Sequence, residues 1–327
     1  MHMKRVFWVA ALFAGFFIAA TDSGKIPRAR ITNGLIRAGL YLPDPANGYY
    51  RATRFEWSGV MYSLEFKGHS YFGKWFTKYS PDIHDAIMGP VEEFTPVGFD
   101  EAGPGSAFLK PGVGMLVKPD GSPYSSFSLY RITNPGTWTS VKKKDQVDFV
   151  HVLKDEGYSY EYRKTVQLVR NKAELILVHT LKNTGRKSIE TSVYDHNFFM
   201  IDNMPTGPAF RASFPFKAGG TFQGPPEIVT FRDNQMNFTR ELTNNENIYC
   251  GGLTGVGDSP KDYDIRIDNL KTGAGVRITG DRPLSKLVFW ACRTTLCPEP
   301  YIHISIQPGQ EFSWTLSYEF YISDQGH

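Results

Sequence analysis

The chain has 327 residues, and its 36 basic and 33 acidic side chains leave a net charge of only +3. That balance gives no electrostatic stripe of the kind nucleic acid requires, so nucleic-acid binding is set aside. With 24 Phe, 17 Tyr and 6 Trp, and with Gly and Pro spread throughout rather than gathered in one linker, the composition favours one unusually large β domain over two average ones.

In chain order, Lys4 and Arg5 precede an apolar run over residues 6–20, followed by the polar residues Thr21, Asp22, Ser23 and Gly24. This is the layout of a secretory signal peptide. The run is about 15 residues long, short of the roughly 20 needed to span a bilayer, and an uncleaved anchor is the alternative. Residues 1–24 are therefore expected to be a leader and residues 25–327 a single domain. The mature protein is expected to be secreted or periplasmic, with no membrane association once the leader is gone.

From about Ile26 onward, short runs alternate apolar and polar residues and are separated by Gly, Pro, Asn and Asp, the period-2 signature of strands. Strands are predicted over residues 54–66, 147–153, 158–168, 174–181, 189–194, 228–231, 263–267, 275–278, 286–291, 301–306 and 313–320. In 158–168, Tyr158, Tyr160, Tyr162, Val166 and Leu168 share one face; in 313–320, Trp314, Leu316, Tyr318 and Phe320 do. Both read as half-buried antiparallel strands. A dozen or more strands with no β-α alternation argue for an all-β sandwich or barrel and against a Rossmann-type fold. Two stretches break the pattern, residues 79–125 and 203–226, and are expected to be long loops walling a cleft.

Three cysteines, Cys250, Cys292 and Cys297, leave at least one thiol outside any intramolecular disulfide. If 292–297 is extended, its ends lie about 16 Å apart, beyond disulfide reach. That leaves Cys250 bonded to one of the other two, or three free thiols.

The segment with most chemistry in it runs from Leu181 to Asp202: a strand ends in Asn183-Thr184-Gly185, returns through 189–194, and presents Asp195-His196-Asn197-Phe198-Phe199. Near the C-terminus, Cys297-Pro298-Glu299-Pro300 leads into a strand, a Pro308-Gly309 turn and a closing strand from Phe312. Over roughly residues 175–322 this order resembles the aldose 1-epimerase (galactose mutarotase) family, in which a histidine of a His-x-Tyr-Phe motif protonates the sugar ring oxygen and a glutamate near the C-terminus acts as base. Phe198 stands where the family has Tyr. The resemblance implies a large antiparallel β-sandwich of the galactose-mutarotase-like type, a carbohydrate substrate, no cofactor, and acid-base exchange of anomers with His196 as acid and Glu299 as base.

The family's His-Gly-Gly-like loop has no counterpart here. Its region reads His84-Asp85-Ala86-Ile87-Met88-Gly89-Pro90-Val91-Glu92-Glu93-Phe94, which is more acidic and argues against an ordinary free hexose. His84, Asp85, Glu92, Glu93, Arg54, Asp195 and His303 are the candidate substrate-binding residues. Arg54, with Arg51, could grip a sugar carboxylate in a planar fork, and Tyr49, Tyr50, Trp57, Tyr71 and Trp75 are either sugar-stacking or core aromatics. His69 reads as a turn residue, and His151 and His179 as strand residues with satisfied side chains. No spaced His or Cys motif marks a metal site. Two further readings stay open on the same fold: a lyase acting on uronate units of a polysaccharide, and a carbohydrate-binding protein without catalysis.

Overall fold

The structure is a computed structural model that describes residues 25–323, so the expected leader lies outside the described residues. The alternating runs become antiparallel strands because one face of each leaves water while the other keeps it. β1 (Arg28–Thr32), β2 (Ile36–Tyr41), β3 (Met61–Phe66) and β4 (His69–Phe72) form a four-stranded sheet. β5 (Gly89–Phe94) follows, and then a small sheet of β6 (Ala107–Lys110), β7 (Gly114–Val117) and β8 (Arg131–Asn134). β9 (Thr137–Lys142), β10 (Gln146–Leu153), β11 (Tyr160–Leu168) and β12 (Glu174–Asn183) pair in sequence as a meander.

Next come β13 (Ile189–Phe198), β14 (Phe210–Ser213), β15 (Val229–Arg232), β16 (Gln235–Phe238), β17 (Asn247–Cys250) and β18 (Asp264–Asn269). The chain closes through β19 (Ala274–Gly280), β20 (Lys286–Cys292), β21 (Thr295–Ile306) and β22 (Glu311–Ile322). Two sheets dominate. One has ten strands in the order β15-β16-β14-β18-β19-β22-β12-β11-β10-β9, and the other has five in the order β17-β20-β21-β13-β5.

These two sheets pack face to face. Leu175, Leu177, Trp314, Leu316, Tyr318, Tyr160 and Tyr162 of the larger meet Ile189, Val193, Ile302, Ile304 and Ile306 of the smaller in one continuous buried cluster. Each such side chain contributes roughly 1.5–3 kcal/mol on leaving water. A second cluster lies on the other face of the five-stranded sheet, where Phe198, Val91 and Cys297 pack under Tyr50, Phe55, Trp57, Phe99 and Phe108. The smaller sheet is thus covered by the larger one on one side and by the N-terminal loops on the other, with a gap that becomes the cleft.

Several expectations change. Residues 54–60 are a buried segment without strand pairing, and the strand begins at Met61. The stretch 79–125 is not one loop: it contains β5, β6 and β7. β5 reads as a loop because of Gly89-Pro90 and Glu92-Glu93, yet all six of its residues are buried. Gly89 is required at its start, since at φ +83° a Cβ would lie 2.6 Å from the Cβ of Met61 on β3. His69 opens β4 rather than sitting in a turn, and its Nδ1 lies 2.9 Å from Asp202 Oδ2. All three thiols are free, because β20 and β21 form a hairpin in which Cys292 faces Thr295 and Cys297 faces Trp290.

Candidate functional site

The cleft floor follows from register. On β20 and β21, Lys286 pairs with Tyr301, Val288 with Glu299 and Trp290 with Cys297. On β13 and β5, Tyr194 pairs with Glu93, His196 with Val91 and Phe198 with Gly89. Tyr194 pairs with Tyr301 across β13 and β21, and continuing that register by two residues sets His196 opposite Glu299. Because side chains on one face of a sheet recur every second residue, three rows run across the floor. The middle row is Val288, Glu299, His196, Val91. On one side lie Lys286, Tyr301, Tyr194 and Glu93; on the other lie Tyr249, Trp290, Cys297 and Phe198.

Prolines frame the central pair. The β13–β21 pairing stops at Tyr194 and Tyr301, just where Pro298 and Pro300 have no N–H to offer a ladder. The Asn197 side-chain amide substitutes by donating to the Pro298 carbonyl at 3.0 Å. At this interruption His196 Nε2 stands 3.3 Å from Glu299 Oε1, and both side chains are nearly buried. The imidazole is stacked on Phe198 at 3.9 Å, and Trp75 covers the same phenyl ring at 5.0 Å. His196 Nδ1 is buried without a hydrogen-bond partner.

Burial, and after it the Arg54 guanidinium, holds the His196 pKa well below its ordinary value. Burial pushes Glu299 up to about 8, with Arg54 opposing and Glu93 adding to the shift. The neutral forms of both groups, carboxyl and imidazole, are therefore favoured at neutral pH.

Beside the pair is a charged cluster. Arg54 Nε donates to Glu93 Oε2 at 2.8 Å and its Nη2 to the Tyr194 hydroxyl at 3.2 Å. Tyr194 in turn donates to Glu93, and Lys110 Nζ lies 3.3 Å from the other carboxylate oxygen. Burial works against ionising Glu93, but Lys110 and Arg54 outweigh it and lower its pKa. Around these groups the cleft has a volume of about 720 Å³ and is also lined by Asp85, Phe127, Gln223, Asn247 and Tyr249.

The candidate residues divide by face. His196, Glu299, Arg54, Glu93 and Asp85 line the cleft. His84 sits behind the rim, with its ring against Phe127 at 5.1 Å and its Nε2 3.5 Å from Asp85. Glu92 and Asp195 do not reach the cleft: one residue out of phase with Glu93 and His196, they point between the sheets. There Glu92 meets Lys164 and His179, and Tyr318 reaches Asp195. His303 is on the same face as Glu299 but beyond the cleft, exposed and 3.7 Å from Glu190. Arg51 donates to the Ala46 carbonyl instead of entering the site. Of the proposed stacking aromatics, Tyr49, Tyr50, Trp57 and Tyr71 are buried, and Trp75 is at the cleft.

Sequence reasoning did not single out Trp290, Tyr249, Tyr194 or Phe127 as lining residues. Counting every second position outward from Glu299 and His196 would have found Tyr301 and Tyr194. Trp290 and Tyr249 need the strand order as well. Among the described residues, no three His, Cys, Asp or Glu side chains converge as a metal site.

No protein-family model matches this chain, and no curated protein matches it in sequence. Its fold does match solved structures. An aldose epimerase homologue from C. elegans is 14% identical, with 92% of this chain and 100% of that one covered and a TM-score of 0.56. A galactose mutarotase-like protein from Clostridium acetobutylicum is 12% identical, covering 90% and 95%, with a TM-score of 0.54. A galactose mutarotase related enzyme from Lactobacillus acidophilus is 12% identical, covering 91% and 98%, with a TM-score of 0.52. The architecture is therefore the antiparallel β-sandwich of galactose-mutarotase-like proteins.

Proposed function

We infer that the chain is a carbohydrate-active enzyme that interconverts sugar anomers by acid-base catalysis at His196 and Glu299. The observation that carries this reading is the 3.3 Å approach of the imidazole Nε2 to the carboxyl oxygen on the floor of an open cleft. Anomer exchange needs one proton removed from the anomeric hydroxyl and one delivered to the ring oxygen, and these two oxygens are attached to the same carbon. Two proton-transfer groups side by side can reach both.

With the proton resting on Glu299 and His196 neutral, the carboxyl protonates the ring oxygen while Nε2 takes the proton of the anomeric hydroxyl. The bond from the anomeric carbon to the ring oxygen breaks and a carbonyl forms. After rotation about the adjacent carbon–carbon bond, both transfers reverse and the ring closes on the other face, so no proton is gained or lost. Starting with His196 protonated and Glu299 ionised gives the same cycle with the partners exchanged. In either assignment the pair must carry one proton, so the rate should fall as pH rises through about 8; a rate that rises there instead would remove the Glu299 carboxyl proton from the cycle.

Polarimetry and NMR on a panel of free sugars, uronic acids included, test the reading. Wild-type protein should accelerate exchange, and H196A and E299Q should each lose about 10²–10⁴-fold. No acceleration for any sugar, or variants as active as wild type, would sink it. The uronate lyase alternative draws less support, since the guanidinium it would turn toward a substrate carboxylate is bound to Glu93 and Tyr194. Residues 1–24 as a leader, with export to the periplasm or beyond, remain part of the proposal; N-terminal sequencing of protein recovered from the host's exported fraction checks it.

A further inference from the structure

The cleft is larger than one sugar ring. At about 30 Å³ for each liquid water, 720 Å³ holds some two dozen waters, whereas a hexose has about a dozen non-hydrogen atoms. On one side of the pair the lining reaches β17 through Asn247 and Tyr249. Neighbouring strands are about 4.8 Å apart, so β17, two strands from the Glu299 strand, is about 10 Å away, or one further sugar ring beyond a ring whose anomeric carbon is at the pair.

That end has its own chemistry. Tyr249 is 37% exposed, large for a ring on a strand that otherwise buries alternate residues. It is the direct cross-strand partner of Trp290, whose ring lies 6.0 Å from His196, so two aromatic faces run outward from the imidazole. Asn247, two residues before Tyr249, and Gln223, whose backbone N–H donates to the Tyr249 carbonyl at 2.8 Å, also line the cleft. Among the described residues neither side-chain amide has an intramolecular hydrogen bond. An exposed ring beside two uncharged amides suits the apolar face and the hydroxyls of a neutral sugar. On the cleft strands, the Lys286 cation is held over the Tyr301 ring at 4.1 Å, and Arg54, which lines the cleft, is bound to Glu93 and Tyr194.

We propose that Tyr249, Asn247 and Gln223 form a second sugar subsite, so that the substrate is the reducing end of a neutral oligosaccharide, the ring after the reducing one stacking on Tyr249. The catalytic half of this statement rests on the anomer-exchange reading; the binding half does not.

Exchange rates for cellobiose, maltose and lactose, measured by NMR beside glucose and galactose, test it. Wild type should have a higher kcat/KM for at least one disaccharide than for its monosaccharide. Y249A and N247A should each reduce that ratio about tenfold. Both side chains are exposed on an edge strand, and an unchanged Tm checks that the fold is kept. A ratio near one in wild type, or one untouched by either variant, overturns the proposal. If no sugar is turned over, calorimetric titration with the same sugars decides. Tighter binding of a disaccharide, weakened in Y249A, keeps the subsite without the catalysis; equal binding, or none, overturns it.

Discussion

His151, on β10, is a histidine with every polar atom engaged. Its Nε2–H donates to the Pro135 carbonyl at 2.8 Å, its Nδ1 accepts from the Tyr160 hydroxyl at 2.9 Å, and its ring stacks on Trp138 at 4.1 Å. Burial lowers its pKa to about 4, with the bond to Pro135 opposing. A base held below its unfolded value gives its full stability above about pH 6.5 and loses it as pH falls through about 4; the difference corresponds to about 3 kcal/mol. Replacing His151 by Gln should therefore flatten the fall in urea midpoint between pH 6.5 and 4. An equally steep fall in the variant would remove His151 as the cause. His196 differs from it in one respect that matters: Nδ1 has no partner and Nε2 faces a carboxyl in an open cleft, so its proton has somewhere to go.

At the level of elements, the sheets are joined by charge as well as by hydrocarbon. Lys164 of β11 is fully buried, with Nζ 2.9 Å from Glu56 Oε1 and in contact with Glu92 of β5. Glu92 is also 2.5 Å from His179 of β12. Burial opposes the charge on Glu92, but Lys164 and His179 outweigh it and lower its pKa. Burial raises that of Glu56 to about 8, with Lys164 pulling the other way. Removing one partner leaves a buried charge uncompensated, so K164M should cost about 3–5 kcal/mol in urea unfolding. K164M/E92L should recover much of that loss, because Glu56 can remain protonated and bonded to Ser58. A double variant no more stable than the single one would rule out uncompensated charge as the reason.

Across the whole molecule, protection should follow strand order. β12 and β22 lie inside the ten-stranded sheet and β13 and β21 inside the five-stranded one, whereas β9 and β15 are edges. Edge strands open with little loss of buried area. Hydrogen-deuterium exchange should accordingly be fastest in β9 and β15 and slowest in the four interior strands; equal protection at the edges would contradict this account. The cleft depends on the slow group. His196 and Glu299 are on the interior strands β13 and β21, each held by its ladder to the outer neighbour, β5 and β20, where their mutual ladder is interrupted, while the rim residues Phe127 and Gln223 come from loops.

The sequence by itself determined the all-β architecture, because period-2 alternation is a local property, whereas the pairing of His196 with Glu299 was implied only by the resemblance of motif order to a known family. It also marked Arg54, Glu93 and Asp85, which line the cleft. Only the tertiary structure separated Glu93 from Glu92 and His196 from Asp195. Which phase of an alternating strand faces the cleft is decided by what packs on each face, and polar residues occur on both. Lys164 is the sharpest instance: it lies on the same face as Tyr160, Tyr162, Val166 and Leu168, where alternation predicts a hydrophobe. Its compensation comes from Glu56 and Glu92, distant along the chain, and a buried ion pair is settled by proximity in space, which no window along a sequence contains.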